Sequence, residues 1–149
     1  MNEMQPFDDR LSALIANLSP QSRKQMAADI AKRLRASQQQ NIKRQQAPDG
    51  TPFTPRKRQP LRGKKGRVKR EMFAKLRTAK YLKAKGNSDD AAVQFTGNVQ
   101  RMARVHHYGL RDRATRGGKE VQYESRTLLG FNEVCLGEIE NLIYKQLTK

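Results

Sequence analysis

Thr78-Ala79-Lys80-Tyr81-Leu82-Lys83-Ala84-Lys85-Gly86-Asn87-Ser88-Asp89-Asp90-Ala91-Ala92-Val93-Gln94-Phe95-Thr96 is the stretch that separates a mixed fold from an all-helical one. Gly86 to Asp90 is turn chemistry: a glycine followed by short polar side chains that bond their own backbone. Before it, Thr78–Lys85 reads as extended. After it, Ala91–Thr96 alternates, with Val93 and Phe95 pointing one way. Two extended runs around such a turn predict an antiparallel hairpin.

The flanking segments have helical period. Phe7 to Leu18 places Leu11, Leu14, Ile15 and Leu18 on one face, with Asp8 and Asp9 where the helix dipole favours acids. Ser19 is an N-cap and Pro20 a first helical residue, so a second helix starts there. Its stripe is Met26, Ile30, Leu34 and Ile42, and it ends near Gln46, before Pro48-Asp49-Gly50. Its distal half, Ser37-Gln38-Gln39-Gln40-Asn41, is polar and is expected to project from the core or meet a neighbouring subunit. Asn98 to Tyr108 predicts a third helix stopped by Gly109. Leu110 to Glu120 reads as a charged loop and Val121 to Leu129 as extended. Asn132 is placed to cap a last helix with Cys135, Leu136, Ile139, Leu142, Ile143 and Leu147 as its stripe. The expected fold is α+β, a single domain over residues 1–149. A small antiparallel sheet packs with a long helix in the N-terminal half and a C-terminal helix.

Between the second helix and the hairpin lies the most unusual stretch. From Arg56 to Lys85 there are fourteen Lys and Arg and one acid, Glu71, a net +13 out of +17 for all 149 residues. Proline, glycine and like charge at this density oppose burial. Residues 47–70 are therefore expected to protrude as a basic arm, with Arg67 to Arg77 entering a short helix that carries Met72, Phe73 and Leu76. The residues expected to touch a partner are Arg56, Lys57, Arg58, Arg62, Lys64, Lys65, Arg67, Lys69 and Arg70, with Arg111, Arg113 and Arg116 from the later loop. Lys and Arg at this density bind phosphate through counterion release or bind acidic protein surfaces. Only Phe53, Phe73 and Tyr81 interleave with them, too few for a base-stacking platform.

Other function classes find little support. Apolar runs are far shorter than the roughly 20 residues a membrane helix needs. Cys135 is the one cysteine, so no internal disulfide forms. His106 and His107 are adjacent, so on a helix they point apart; His106 is expected to pack and His107 to be exposed. No metal site, cofactor site or catalytic constellation is expected.

Four blocks together carry a resemblance. They are Gln45-Gln46-Ala47-Pro48-Asp49-Gly50-Thr51-Pro52-Phe53-Thr54-Pro55-Arg56, Met72-Phe73-Ala74-Lys75-Leu76-Arg77-Thr78-Ala79-Lys80-Tyr81-Leu82, Arg101-Met102-Ala103-Arg104-Val105-His106-His107-Tyr108-Gly109-Leu110-Arg111-Asp112 and Leu128-Leu129-Gly130-Phe131. In this order they resemble the phage virion morphogenesis, or tail completion, proteins of contractile-tailed temperate phages. Tyr123 to Thr127 departs from that pattern, lacking the proline expected before Leu128. The resemblance implies a structural, non-enzymatic protein that completes the tail and lets it join the head at the neck. It implies a homo-oligomeric ring, often a hexamer, with tail and head-neck proteins as partners. It also implies residence in the host cytoplasm during assembly and then in the virion. Phage DNA or acidic protein remains open as the arm's counterpart. The alternative reading is a basic nucleic-acid-binding accessory protein.

Overall fold

The computed structural model describes residues 5–56, 71–113 and 117–148. The fold is α+β. In chain order it runs α1 (Gln5–Ala16), α2 (Pro20–Lys43), β1 (Leu82–Gly86), β2 (Ala91–Phe95), α3 (Gly97–Tyr108), β3 (Arg111–Arg113), β4 (Glu120–Gln122) and α4 (Glu133–Leu147). The strands form two separate two-stranded antiparallel sheets, β1–β2 and β3–β4.

The chain divides into two compact units. The first comprises residues 1–35, 84–94 and 133–149, and the second 36–83 and 95–132. In the first unit α2 starts as its sequence dictates. The Ser22 N–H donates to Ser19 Oγ at 3.1 Å, satisfying one of the orphan donors of the first turn. The hairpin turn is held by Asn87, whose Oδ1 accepts the N–H groups of Asp89 and Asp90 at 2.7 and 2.8 Å. Asn87 N–H donates to the Asp90 carbonyl at 2.9 Å. Gly86 is required by packing: a Cβ there would lie 2.4 Å from the Ala28 nitrogen and 2.5 Å from the Ala27 carbonyl carbon. The buried apolar residues of this unit are Met26, Ala27, Ala31, Leu34 and Cys135. The C-terminal stripe is less buried than its periodicity promises. Cys135 is enclosed, Ile139, Leu142, Ile143 and Leu147 are half-buried, and Leu136 is exposed.

The second unit holds the larger core: Ile42, Phe53, Leu76, Leu82, Phe95, Val99, Ala103, Val105 and Leu128 are buried. The polar end of α2, expected to project or to meet a neighbouring subunit, buries Gln38 and Asn41 in it instead. Gln38 is 2% exposed and Asn41 5%. The reason is hydrogen bonding to irregular backbone, which must find partners when buried. Gln38 Nε2 donates to the Gly130 carbonyl at 2.8 Å, and the Gly130 N–H donates to Gln38 Oε1 at 3.0 Å. Gln39 Nε2 donates to the Arg77 carbonyl at 2.7 Å. Gln45 makes the same two-way pair with Met72, donating at 2.8 Å and accepting at 2.9 Å.

Three further expectations change here. Residues 72–77 form successive turns rather than the expected helix; Phe73 sits at φ 63°, the left-handed region, which no helix interior allows. The first strand begins at Leu82, with 78–81 folded as a bend and turn closed by Leu82 N–H to Thr78 O at 2.9 Å. The charged loop after α3 contains a second hairpin, pairing Arg111 with Gln122, Asp112 with Val121 and Arg113 with Glu120. Gly109 ends α3 at φ 67°, donating its N–H to Val105 O.

Candidate interaction site

The second unit contains an open apolar cavity of about 660 Å³, in the size range of ligand clefts. Met72, Phe73, Leu76 and Tyr81 come from the turns before β1, Val99, Met102 and His106 from α3, and Val121 and Tyr123 from β4 and the chain after it. The spacing of Val99, Met102 and His106 puts all three on one face of α3. Met102 remains 47% exposed.

A row of rings joins three of the lining residues to Phe53. Phe53 meets Phe73 edge to face with centroids 5.7 Å apart, Phe73 meets His106 at 5.1 Å, and His106 meets Tyr123 at 4.8 Å. Such edge-to-face pairs add stability beyond area burial. Phe73 reaches its place through the positive φ, an arrangement that costs about 1–3 kcal/mol for a bulky residue and persists only where the surroundings hold it. His106 Nδ1 is buried and finds no hydrogen-bond partner among the described residues. Burial, and secondarily the Arg126 guanidinium, hold the His106 pKa below its ordinary value, so the ring is kept neutral. His107 is half-buried rather than exposed. Its Nδ1 accepts the Leu128 N–H at 3.1 Å, and burial lowers its pKa.

The lining also carries charge: Arg56, Lys75 and Arg126 with Glu71 and Glu124. Glu71 lies 3.7 Å from Arg77. Arg126, only 8% exposed, donates through Nε to the Thr54 carbonyl at 2.7 Å and through Nη2 to the Pro55 carbonyl at 3.1 Å. It thereby fixes the segment that leads to Arg56. The opening of the stretch expected to protrude is consequently packed down, with Phe53 buried and Pro48 enclosed beside Gly130.

Of the residues expected to touch a partner, three are described. Arg56 is exposed and lines the cavity, and Arg111 and Arg113 are exposed on β3. Between them on β3, the Asp112 carboxylate accepts the Arg113 N–H at 2.9 Å and Arg101 Nη2 at 2.8 Å. Those bonds, the backbone one first, lower its pKa. Lys57, Arg58, Arg62, Lys64, Lys65, Arg67, Lys69, Arg70 and Arg116 lie outside the described residues. Sequence reasoning missed the cavity and Arg126. The cavity is assembled from four separated segments, and Arg126 looks in sequence like any other cation in a basic chain.

The charge follows the units. Among the described residues, eight Lys and Arg balance eight Asp and Glu in the first unit; in the second, thirteen face five, a net +8. No described helix is long and apolar enough to cross a membrane.

Comparison with known proteins agrees with the resemblance seen in the four blocks. Residues 2–148 match the profile of the phage virion morphogenesis family. The chain is 44% identical over 150 residues to tail completion protein S of Escherichia phage P2, and the alignment covers the full length of both. No solved structure matches it. With nearly every residue inside the family profile and a full-length relative at that identity, the chain belongs to the phage virion morphogenesis family.

Proposed function

We propose that this chain is a structural assembly protein that completes a phage tail and enables it to join the head at the neck. The observation that carries this reading is its full-length similarity to a tail completion protein. Its role is contact and closure, with no catalytic step and no cofactor. The protein acts as a homo-oligomeric ring among tail and head-neck proteins. It assembles in the host cytoplasm and ends in the virion.

The basic stretch fits this role through electrostatics. A conduit for DNA works poorly when its wall grips phosphate, since each Lys or Arg contact adds affinity and hinders sliding. Most of the net +13 from Arg56 to Lys85 is therefore expected to lie against acidic faces of neighbouring subunits or of tail and head proteins, where complementary charge speeds encounter and fixes register. Changing Arg56, Lys57, Arg58, Lys64 and Lys65 together to Ser leaves the fold intact and yields complete heads and complete tails that fail to join, as read by electron microscopy. Infectious particles at parental yield from that variant overturn the reading.

A nucleic-acid-binding accessory protein is the second reading, favoured by the net +8 on the second unit's described residues and by the +13 from Arg56 to Lys85 in the sequence. Tight, salt-sensitive DNA binding by the isolated protein, lost in the same variant, would favour it.

A further inference from the structure

Arg126 is a buried cation whose hydrogen-bond partners are carbonyl groups. It is 8% exposed, and it forms no ion pair among the described residues; Glu124 acts on it through space. Nε and Nη2 donate to the consecutive carbonyls of Thr54 and Pro55. Burying a charge without a paired carboxylate is costly, and for stability alone an apolar side chain would often serve as well. An apolar side chain cannot hold two neighbouring carbonyls. The planar guanidinium has donors spaced for such a pair, whereas a lysine ammonium is a point charge on a flexible stem. The segment that it holds is stiff, because Pro52 and Pro55 fix their own φ and restrict the residues before them.

Arg126 is itself anchored. Its N–H donates to the His106 carbonyl at 2.8 Å, and the Leu128 N–H donates to His107 Nδ1 at 3.1 Å. Both acceptors lie in the last turn of α3. Asn132 Nδ2 donates to the Pro48 carbonyl at 3.0 Å and so fastens the start of the same segment. A path of hydrogen bonds thus runs from the end of α3 through Arg126 to Thr54 and Pro55, next to Arg56, where the basic stretch begins. We propose that Arg126 is a positioning residue for that stretch: it holds Thr54 and Pro55 so that the cations from Arg56 onward are offered to a neighbouring protein from a fixed root. A binding segment with a fixed root loses less freedom on meeting its partner than one with a loose root, so affinity rises without a new contact. The proposal deepens the reading that the basic stretch contacts neighbouring proteins in head–tail joining, and rests on it.

The test uses full-length Arg126→Lys, which keeps the charge and loses the fork, and Arg126→Gln, which loses both. Circular dichroism verifies that each is folded at the assay temperature. The Phe53 N–H, bonded to the Gln45 carbonyl, is expected to exchange its hydrogen about tenfold faster in both variants. The Gly109 N–H at the end of α3 is expected to keep the parent's rate, which separates local release from global unfolding. Heads and tails made without this protein are then mixed with graded amounts of parent or variant, and joined particles are counted by electron microscopy. Both variants are expected to reach the parent's plateau but to need about tenfold more protein for half-maximal joining. Unchanged Phe53 exchange overturns the proposal. So does joining at parental concentration by variants whose Phe53 exchange is faster, an outcome that leaves the joining role standing. Full recovery in Arg126→Lys overturns it too, since charge rather than the fork is then what matters. Should both variants fail to fold, the exposed Pro55→Gly loosens the same root and keeps both carbonyls; joining at parental concentration by that variant overturns the proposal. A parent that joins no heads to tails sinks the joining role itself, and the proposal with it.

Discussion

Among the described residues, the first unit balances eight cations with eight anions around a core of Met26, Leu34, Cys135 and two alanines; the second carries a net +8 around Ile42, Phe53, Leu82, Phe95 and Leu128. Charge and core therefore occur together. Like charges repel one another across a compact unit and oppose its folding, so the unit that concentrates them needs the larger apolar burial to stay closed. The neutral unit has no such load. It closes over little apolar volume and leaves Leu14, Val134, Leu136 and Tyr144 in solvent. The charged unit has the larger core, yet it too leaves apolar side chains in solvent: Met102, Tyr108 and Phe131.

The largest expected effect is in the charged unit. Leu128 is 0% exposed, and Leu128→Ala is expected to destabilise by about 2–5 kcal/mol, the cost of a lost side chain plus the cavity left behind. Chemical denaturation measures it. In the neutral unit, Gly86→Val is expected to cost about 1–3 kcal/mol, because the new Cβ meets the backbone of Ala27 and Ala28, which cannot step aside. Leu142→Ala, half-buried in α4, is expected to cost about 1 kcal/mol. If Leu142→Ala proves as costly as Leu128→Ala, the contrast between the units is broken.

Acid sharpens the same comparison. His106 and His107, both in the charged unit, have pKa values depressed in the fold by burial, His106 also by Arg126. A histidine held neutral contributes stability that is complete above its unfolded pKa of about 6.5 and is lost as pH falls below it toward the folded value. The thermal midpoint of the parent is expected to drop on acidification through that window. His106→Gln is expected to flatten the drop without abolishing it, since His107 still titrates. A parent profile that is level between about pH 7 and pH 5 contradicts this. The smallest effect is expected for Arg111→Ser with Arg113→Ser, both exposed on β3. Stability should move by no more than about 0.5 kcal/mol, leaving any change in head–tail joining attributable to contact rather than folding.

Much of the architecture was readable in the chain. The Ser19-Pro20 start of α2, the Asn87 turn and the Gly109 stop each rest on local chemistry, and local chemistry survives tertiary context. The failures have a common cause. Met72, Phe73 and Leu76 keep helical spacing, yet the Gln45 side chain takes the backbone groups of Met72 that a helix would use, and Phe73 turns left-handed. Nothing local in that segment announces a partner 27 residues away. Likewise β3 and β4 are three residues each, too short for alternation to register; their pairing is a matter of tertiary proximity. The α4 stripe was legible as apolar, but periodicity does not say whether an apolar face is buried by its own chain or by another. For the candidate site, Arg56 was identified from charge density alone. The cavity was not, because its floor is drawn from α3, the turns before β1 and the chain after β4.

One consequence of the polar end of α2 concerns how this sequence can drift. Gln38 gives a donor and an acceptor to the same residue, Gly130, and Gln45 does so for Met72. Glutamate lacks the donor, lysine lacks the acceptor, and asparagine falls one methylene short. A tract that scans as compositional bias is thus among the least replaceable parts of the chain. Glutamines that look interchangeable behave as a template, each matched to one stretch of backbone, and substitutions should accumulate around them rather than at them.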